Sequence, residues 1–426
     1  MKIEQLYTVF LEHSSVQTDT RKIKKDDLFF ALKGANFNGN SFAKEALEKG
    51  AAFVIIDEKE FYIDEKTILV NDVLETLQQL AKFHREFLNT PIIAITGSNG
   101  KTTTKELLFE VLKEKYEVLA TEGNLNNHIG VPITLLKLTR DHDFGIIEMG
   151  ANHQKEIEAY CKWALPNFGL INNCGKAHLE GFGGIEGVRK GKGELYDFIK
   201  NSNGIIFRNA DLDYLIEMSN GNAQQFTYGS VSANVLGKNI SEDGMLKVAV
   251  ISPKMECVIE TNLVGDYNFD NVMAAVAVGS YFGVSINNIK KAIENYFPNN
   301  NRSQKIVLNT NTIIMDAYNA NPSSMKAAIE NFSTMTNGKG ILFLGAMKEL
   351  GNETAFEHDN LQEILKNEDW EKVVLVGKEF NKNVDSFEYF DTSIDAKKWF
   401  MEQNFQHKKI LIKGSRTSFM EKIIEN

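Results

Sequence analysis

Pro91-Ile-Ile-Ala-Ile-Thr-Gly-Ser-Asn-Gly-Lys-Thr-Thr-Thr104 is the stretch on which the fold turns. Ile92 to Ile95 is a short, mostly β-branched run of the kind that makes a buried parallel strand. Thr96 to Gly100 is a turn. From Thr102 the apolar residues change period, and Leu107, Leu108, Val111 and Leu112 fall on one helical face. Strand, glycine turn, Lys-Thr and helix together make a phosphate-binding loop. In such a loop the backbone of Gly97, Ser98, Asn99, Gly100, Thr102 and Thr103 surrounds phosphate oxygens at a helix N-terminus, and Lys101 adds a full positive charge. The Thr102 hydroxyl suits Mg²⁺. Ile95 stands where the generic pattern has a glycine, and Gly-Lys-Thr alone also occurs in ordinary turns. The strand-to-helix context carries the assignment.

The rest of the chain is read outward from this loop. A length of 426 residues predicts two or three domains, and 43% hydrophobic residues are enough for packed cores. Cys161, Cys174 and Cys257 show no paired spacing, which argues for a reducing compartment and against a disulfide framework or structural zinc. The opening Met-Lys-Ile-Glu-Gln-Leu is not a signal peptide, and no apolar run approaches a membrane span, so a cytoplasmic location is expected. A net charge of -10 argues against general nucleic-acid binding, though not against an anionic substrate held by a local loop.

Upstream, residues 1–81 read as a small α/β unit. Asp27 to Lys33 is a strand, Phe42 to Leu47 a helix and Ala52 to Asp57 a strand. Thr18-Asp-Thr-Arg21 and Gly34-Ala-Asn-Phe-Asn-Gly-Asn40 are polar, turn-rich loops beside them. Val73 to Leu88 is a helix leading into a central domain, residues 82–297, which closes at Phe297-Pro-Asn-Asn-Asn301. In that domain Phe144-Gly-Ile-Ile-Glu148 ends in an acid, and Phe168 to Asn172 runs on toward His178. Open parallel sheets bind ligands at the carboxyl ends of their strands, so Glu148 and His178 belong on the edge that carries Lys101. Residues 205–262 read as a β-rich insertion. Residues 298–426 restart an α/β pattern, in which Asn321 caps a helix with Pro322 at its first position. The expected fold class is therefore α/β in three domains: a small N-terminal unit, a central phosphate-loop domain on a parallel sheet, and a Rossmann-like C-terminal domain.

Residues 185–199 carry a conflict between pattern and charge. At 100° per residue, Ile185, Val188, Leu195, Tyr196 and Ile199 form one apolar stripe. Lys192 falls inside that stripe and Lys190 on the opposite side. A buried lysine must be paired, chemically changed, or stretched out to water.

These blocks resemble the Mur ligase family from end to end. The match runs through Thr96–Thr104, Gly123-Asn-Leu-Asn-Asn-His-Ile-Gly-Val-Pro132, Glu148-Met-Gly-Ala-Asn152, Ala177–Gly183 with Lys192–Tyr196, Asp316-Ala-Tyr-Asn-Ala-Asn-Pro322 and Lys413-Gly-Ser-Arg416. Asp19-Thr-Arg21 and Leu28–Gly34 resemble the family's UDP-sugar domain. The Asp316–Pro322 block is most similar to the branch that adds a dipeptide. The resemblance implies an ATP-dependent amide ligase working through an acyl phosphate in peptidoglycan precursor synthesis. Its implied substrates are UDP-N-acetylmuramoyl-tripeptide and D-alanyl-D-alanine, and it implies a monomer. It further implies two Mg²⁺ ions, with Thr102 and Glu148 on one and Glu148, His178 and a carbamylated Lys192 on the other. Asn268, Asn271, Arg302 and Asp316 would contact ATP. Thr20, Arg21, Lys33, Asn40, Asn124, Asn126 and Asn127 would contact the UDP-sugar peptide. Asn319, Asn321, Ser415 and Arg416 would face the dipeptide. Tyr267 and Ala346 depart from the family pattern, where a histidine and an aspartate are common, and the segment around Arg302 matches loosely.

Two rival functions are set against this one. Another amide ligase of the family, adding the third amino acid or glutamate to folate, is disfavoured by the Asp316–Pro322 block. A nucleotide-gated binding module of the GTPase type would need Asn-Lys-x-Asp after a strand, whereas Asn381-Lys-Asn-Val-Asp385 has one residue too many.

Overall fold

Strand Ile92–Thr96 lies inside a nine-stranded sheet, with Ile92, Ile93, Ala94 and Ile95 fully buried between helices on both faces. The computed structural model describes residues 1–221, 224–242, 244–252, 255–382 and 384–425. Asn383, inside the Asn381–Asp385 stretch, is outside the described residues. From one edge of the sheet, Val118–Ala120, Phe144–Glu148, Ile92–Thr96, Phe168–Ile171, Ile205–Asn209, Gln225–Gly229 and Val235–Asn239 run parallel. Met245–Ser252 and Met255–Val264 then extend it antiparallel. Residues 205–264 are thus not an insertion but the continuation of the central sheet. The alternation at 246–263 identifies strands but says nothing about which sheet they join.

The sheet faces divide the helices by sequence parity. Ile93 and Ile95 pack with the Lys101–Leu112 and Phe269–Tyr281 helices. Ile92 and Ala94 pack with Val73–Leu88, Glu156–Ala164 and Ile185–Asn201. Val272 to Gly279 are all buried, because that helix packs on the sheet with the phosphate-loop helix on one side and the Ile286–Glu294 helix on another.

A four-stranded parallel sheet, Val16–Gln17, Leu28–Phe30, Phe53–Ile56 and Thr67–Leu69, forms the N-terminal unit. The predicted Asp27–Lys33 strand is shorter than expected: after Phe30 the chain leaves the sheet, and Lys33–Gly34 pairs with Phe37–Asn38 as a separate hairpin. The Val73–Leu88 helix crosses position 82, and its Leu77, Leu80 and Ala81 share one core with Leu28 and Ile55 on one side and Ile92 and Ile147 on the other. The C-terminal sheet orders Gln304–Leu308, Asn311–Asp316, Lys409–Lys413, Ile341–Gly345, Lys372–Val376 and Glu388–Phe390, parallel except for the first. As expected, Asn321 caps the Pro322–Thr336 helix, accepting a hydrogen bond from Ser324 N–H at 2.9 Å.

Candidate active site

The phosphate loop is held from beneath by amides. Gly100 opens the Lys101–Leu112 helix with φ +80°, and a side chain there would meet Asn271 Oδ1 at 2.3 Å. That oxygen accepts from Thr104 Oγ1 at 3.0 Å and from Asn172 Nδ2 at 3.0 Å. Asn271 Nδ2 in turn donates to Asn268 Oδ1 at 2.8 Å, and Asn268 Nδ2 to the Val264 carbonyl at 2.9 Å. Both Asn268 and Asn271 are buried, with these amides bonded inside the protein. Their visible work is to brace the loop, a role hidden from local pattern because Thr104 and Asn271 are 167 residues apart. Asn173 does the same from the next strand: Ser98 N–H donates to its carbonyl at 3.0 Å and Asn99 N–H to its Oδ1 at 2.9 Å. Asn172 and Asn173 were missed as site residues, although their place just after a strand of this sheet was a signal. Lys101 bends back to the Gly97 carbonyl at 2.6 Å. Burial lowers its proton affinity, as does Arg302, while Glu148 opposes the shift. The Thr102 and Thr103 hydroxyls make no hydrogen bond among the described residues and remain available to a ligand.

Glu148 ends its strand 1% exposed. Its backbone N–H donates to Thr121 Oγ1 at 2.9 Å, and Lys105 Nζ fixes Thr121 by donating to its carbonyl at 2.8 Å. Glu148 Oε1 accepts from Asn126 Nδ2 at 2.7 Å, but the buried Oε2 has no partner among the described residues. A buried, unpartnered carboxylate oxygen is costly and suits a cation. Lys192 is 2% exposed on the Ile185–Asn201 helix, while Lys190 is exposed, as the stripe predicts. The Lys192 amine lies 5.5 Å from the Phe182 ring centroid, with no acid among the described residues bonded to it. Burial, then the charge of Lys101, pulls it down to about 7. His178, with φ +53°, turns to the C-terminal domain, where its Nδ1 is 2.6 Å from Glu349 Oε2. Among the described residues no group of three or more His, Cys, Asp and Glu side chains gathers at one point. A divalent cation here fits Glu148 Oε2 and the Thr102 hydroxyl, and it fits Lys192 only once that amine has become an anionic oxygen donor.

The C-terminal domain meets this edge directly. Asn321 Nδ2 donates to Asn99 Oδ1 at 2.8 Å while its own Oδ1 caps the helix. Lys176 N–H donates to Ser323 Oγ at 3.2 Å, and Lys176 Nζ pairs with buried Glu357 at 2.7 Å. Asp316 and the buried Lys413 form an ion pair at 2.5 Å. Asp316 Oδ1 also accepts from Ser303 N–H at 3.2 Å. Ser303 Oγ lies 2.8 Å from the hydroxyl of Tyr267, the residue that replaces the family histidine. Arg302 lies over Tyr318, its guanidinium carbon 3.6 Å from the ring centroid. Asn319 is exposed, its Oδ1 taken by Ala320 N–H at 2.9 Å. Ser415 is buried with its hydroxyl 2.9 Å from Ser418 Oγ, and Arg416 is exposed beside it.

The remaining expected contacts are scattered. Asn124 is exposed, whereas Asn127 Oδ1 receives Gly130 N–H at 2.9 Å and braces the Gly130–Leu135 helix. In the N-terminal unit, Arg21 pairs bidentately with Asp19 at 2.9 and 2.8 Å in the turn that Thr20 begins. Lys33 is exposed 3.1 Å from Asp57. Asn40 is fully buried, bonded to Asp57 and Asn38 at 2.9 Å each, and its amide serves the fold.

Phosphate loop, strand-end acid and buried lysine stand on one sheet edge, closed by a third domain, and known proteins share this plan. Three family models match in chain order: Mur ligase family, catalytic domain over residues 12–85; Mur ligase middle domain over 95–279; and Mur ligase, glutamate ligase domain over 301–416. The UDP-N-acetylmuramoyl-tripeptide–D-alanyl-D-alanine ligase of Haemophilus influenzae is 35% identical, covering 96% of this chain and 92% of its own. That of Bacillus subtilis is 33% identical with the same coverage. A crystal structure of MurF from Acinetobacter baumannii superposes with a TM-score of 0.87 at 31% identity, covering 96% of this chain and 92% of that one. A MurF ligase from Thermotoga maritima, solved in complex with ADP, gives 0.85 at 26% identity, covering 97% of each chain. With the loop, its acid and its closing domain in place and relatives matched over nearly their whole length, the chain belongs to the Mur ligase family.

Proposed function

We propose that this chain is the ATP-dependent ligase that joins D-alanyl-D-alanine to UDP-N-acetylmuramoyl-tripeptide in peptidoglycan precursor synthesis. The observation that carries the reaction class is the Asn99–Asn321 hydrogen bond, which joins the phosphate loop to the C-terminal domain. A ligase that makes an acyl phosphate must bring its amine acceptor onto the transferred phosphoryl group and keep water away. The substrate choice follows the names of the full-length relatives and the Asp316–Pro322 block.

In this assignment residues 1–81 bind the UDP-sugar with Thr20, Arg21 and Lys33, residues 82–297 bind ATP, and residues 298–426 bring the dipeptide and part of ATP. Asn124 and Asn126 face the peptide. Asn319, Asn321, Ser415 and Arg416 face the dipeptide. Lys101 leaves the Gly97 carbonyl for the β- and γ-phosphates, while Arg302 and Asp316 take the nucleotide's outer side. The tripeptide carboxylate attacks the γ-phosphorus. The bond to the bridging oxygen breaks and ADP departs, leaving an acyl phosphate. The dipeptide amine, having lost a proton, attacks the acyl carbon, and inorganic phosphate leaves. Lys101 and the loop amides spread the charge that builds on the transferred group.

Thr102 and Glu148 would hold one Mg²⁺, and Glu148, His178 and a carbamate on Lys192 a second. When bound, these ions neutralise phosphate charge. For His178 to join them it must leave Glu349. A monomeric enzyme is part of this proposal. No helix among the described residues is long and apolar enough to cross a membrane, which accords with a cytoplasmic enzyme.

The test is phosphate release. Release should require ATP, the muramoyl tripeptide and D-alanyl-D-alanine together. Steady release with the dipeptide left out would favour the binding-module alternative.

A further inference from the structure

Tyr318 follows Asp316 by two residues, on the loop after the Asn311–Asp316 strand, and two arginines converge on its ring. The Arg302 guanidinium carbon is 3.6 Å from the ring centroid, a stacking distance. Arg416, on the loop after Lys413, places its own guanidinium carbon 5.5 Å from the same centroid. The backbone on both sides of Arg302 is tied to this strand end. Tyr318 N–H donates to the Asn301 carbonyl at 3.2 Å, and Ser303 N–H donates to Asp316 Oδ1 at 3.2 Å. Asn301 and Ser303 are both left-handed, with φ +57° and +49°. Asparagine adopts that conformation readily, whereas Ser303 does so at a cost that its bond to Asp316 offsets. Arg302 therefore sits in a backbone pinned at both neighbours, with its guanidinium over the Tyr318 ring. Its Nε is buried with no hydrogen-bond partner among the described residues. Its charge is felt at Lys101, so the two cations address one region.

We propose that Tyr318 is a positioning residue for the ligation: its ring holds the Arg302 guanidinium toward the nucleotide phosphates and links it to Arg416 on the acceptor loop. This rests on the nucleotide role assigned to Arg302. A guanidinium on a four-bond stem samples many rotamers, and an aromatic face selects one plane before ATP arrives. The ring, not the hydroxyl, does this, since among the described residues the hydroxyl's polar contact is a long 3.5 Å approach from Arg416.

The experiment compares steady-state kinetics of the full-length enzyme and its Tyr318→Leu, Tyr318→Phe, Arg302→Ala and Tyr318→Leu/Arg302→Ala variants. Tyr318→Leu should raise the KM for ATP by roughly three- to thirty-fold, the range of a lost cation–π contact. The KM for the muramoyl tripeptide should stay unchanged. Tyr318→Phe should stay within about two-fold of the parent, because it keeps the stacking face. In the Arg302→Ala background, Tyr318→Leu should add nothing. The proposal is overturned if Tyr318→Leu leaves the KM for ATP unchanged while Arg302→Ala raises it. It is equally overturned if Tyr318→Phe is as damaging as Tyr318→Leu, or if the leucine effect persists without Arg302. An Arg302→Ala enzyme with the parent's KM for ATP removes the nucleotide role of Arg302, and the proposal with it.

Discussion

At position 192 a lysine amine is buried near Phe182, with the charge of Lys101 felt there and no acid among the described residues bonded to it. Carbamate formation needs a neutral amine, and burial, helped by Lys101, lowers this one to about 7. The sign of the stability effect follows. A base whose proton affinity falls on folding destabilises the fold while it is charged. Here the penalty is full below about 7 and fades as pH rises toward the ordinary lysine value of 10.5. Lys192→Met should therefore stabilise carbon-dioxide-free protein at neutral pH by about 1–3 kcal/mol, as replacing a buried charge by an apolar isostere does. Urea melts should show that gain shrinking as pH approaches about 10. The same variant should lose ligase activity. With ¹³C-labelled carbon dioxide, a carbamate resonance should be present in the parent and in Lys190→Ala and absent in Lys192→Met. A resonance that survives Lys192→Met would place the modification elsewhere.

The Val73–Leu88 helix shows what a local pattern can and cannot convey. Its limits were readable in the sequence, and Asp72 caps it by accepting from Glu75 N–H at 2.7 Å while Asn89 closes it at φ +54°. Its Arg85 was not readable as a fastener. Arg85 is 3% exposed and donates to the Ala164 and Leu165 carbonyls at 2.9 and 3.1 Å, at the C-terminus of the Glu156–Ala164 helix. A third bond reaches Asn167 Oδ1 at 3.1 Å. The guanidinium neutralises that helix end, and burial lowers its proton affinity only to about 10, so it stays charged at neutral pH. Arg85→Met should cost about 2–4 kcal/mol in a denaturant melt, because several charge-assisted bonds to buried carbonyls go with it. A loss within experimental error would show those carbonyls to be satisfied by water. The same distinction runs through the site. The Ile185–Asn201 helix with Lys192 inward, the phosphate loop and the Asn321 cap were legible because each is local. The bracing of the loop by Asn172, Asn173 and Asn271, the sheet membership of Ile205–Asn209 to Met255–Val264, and the turn of His178 toward Glu349 were not, because each depends on partners far along the chain.

Across the whole molecule, the central and C-terminal domains meet through apolar packing of Val264 and Tyr267 on the C-terminal core and through polar contacts, of which Lys176–Glu357 pairs a half-exposed lysine with a buried acid. Glu357 is 3% exposed, and Lys176 supplies its ion-pair contact at 2.7 Å from the other domain. Lys176→Ala should weaken this arrangement by roughly 1–3 kcal/mol, less than a fully buried pair because the lysine end is half-exposed. Small-angle scattering should then show a larger radius of gyration without nucleotide, and saturating ATP with the muramoyl peptide should restore the parent value. A profile identical to the parent's would mean that other contacts hold the domains. The central claim is that both substrates meet on an acyl phosphate at the edge defined by Lys101 and Glu148. It is tested most directly by labelling the terminal carboxylate of UDP-N-acetylmuramoyl-tripeptide with ¹⁸O and analysing both products by mass spectrometry after reaction with ATP and D-alanyl-D-alanine. The predicted result is one labelled oxygen in the inorganic phosphate and an amide product equal to tripeptide plus dipeptide less one water. Unlabelled phosphate, or consumption of ATP with no joined product, would contradict it.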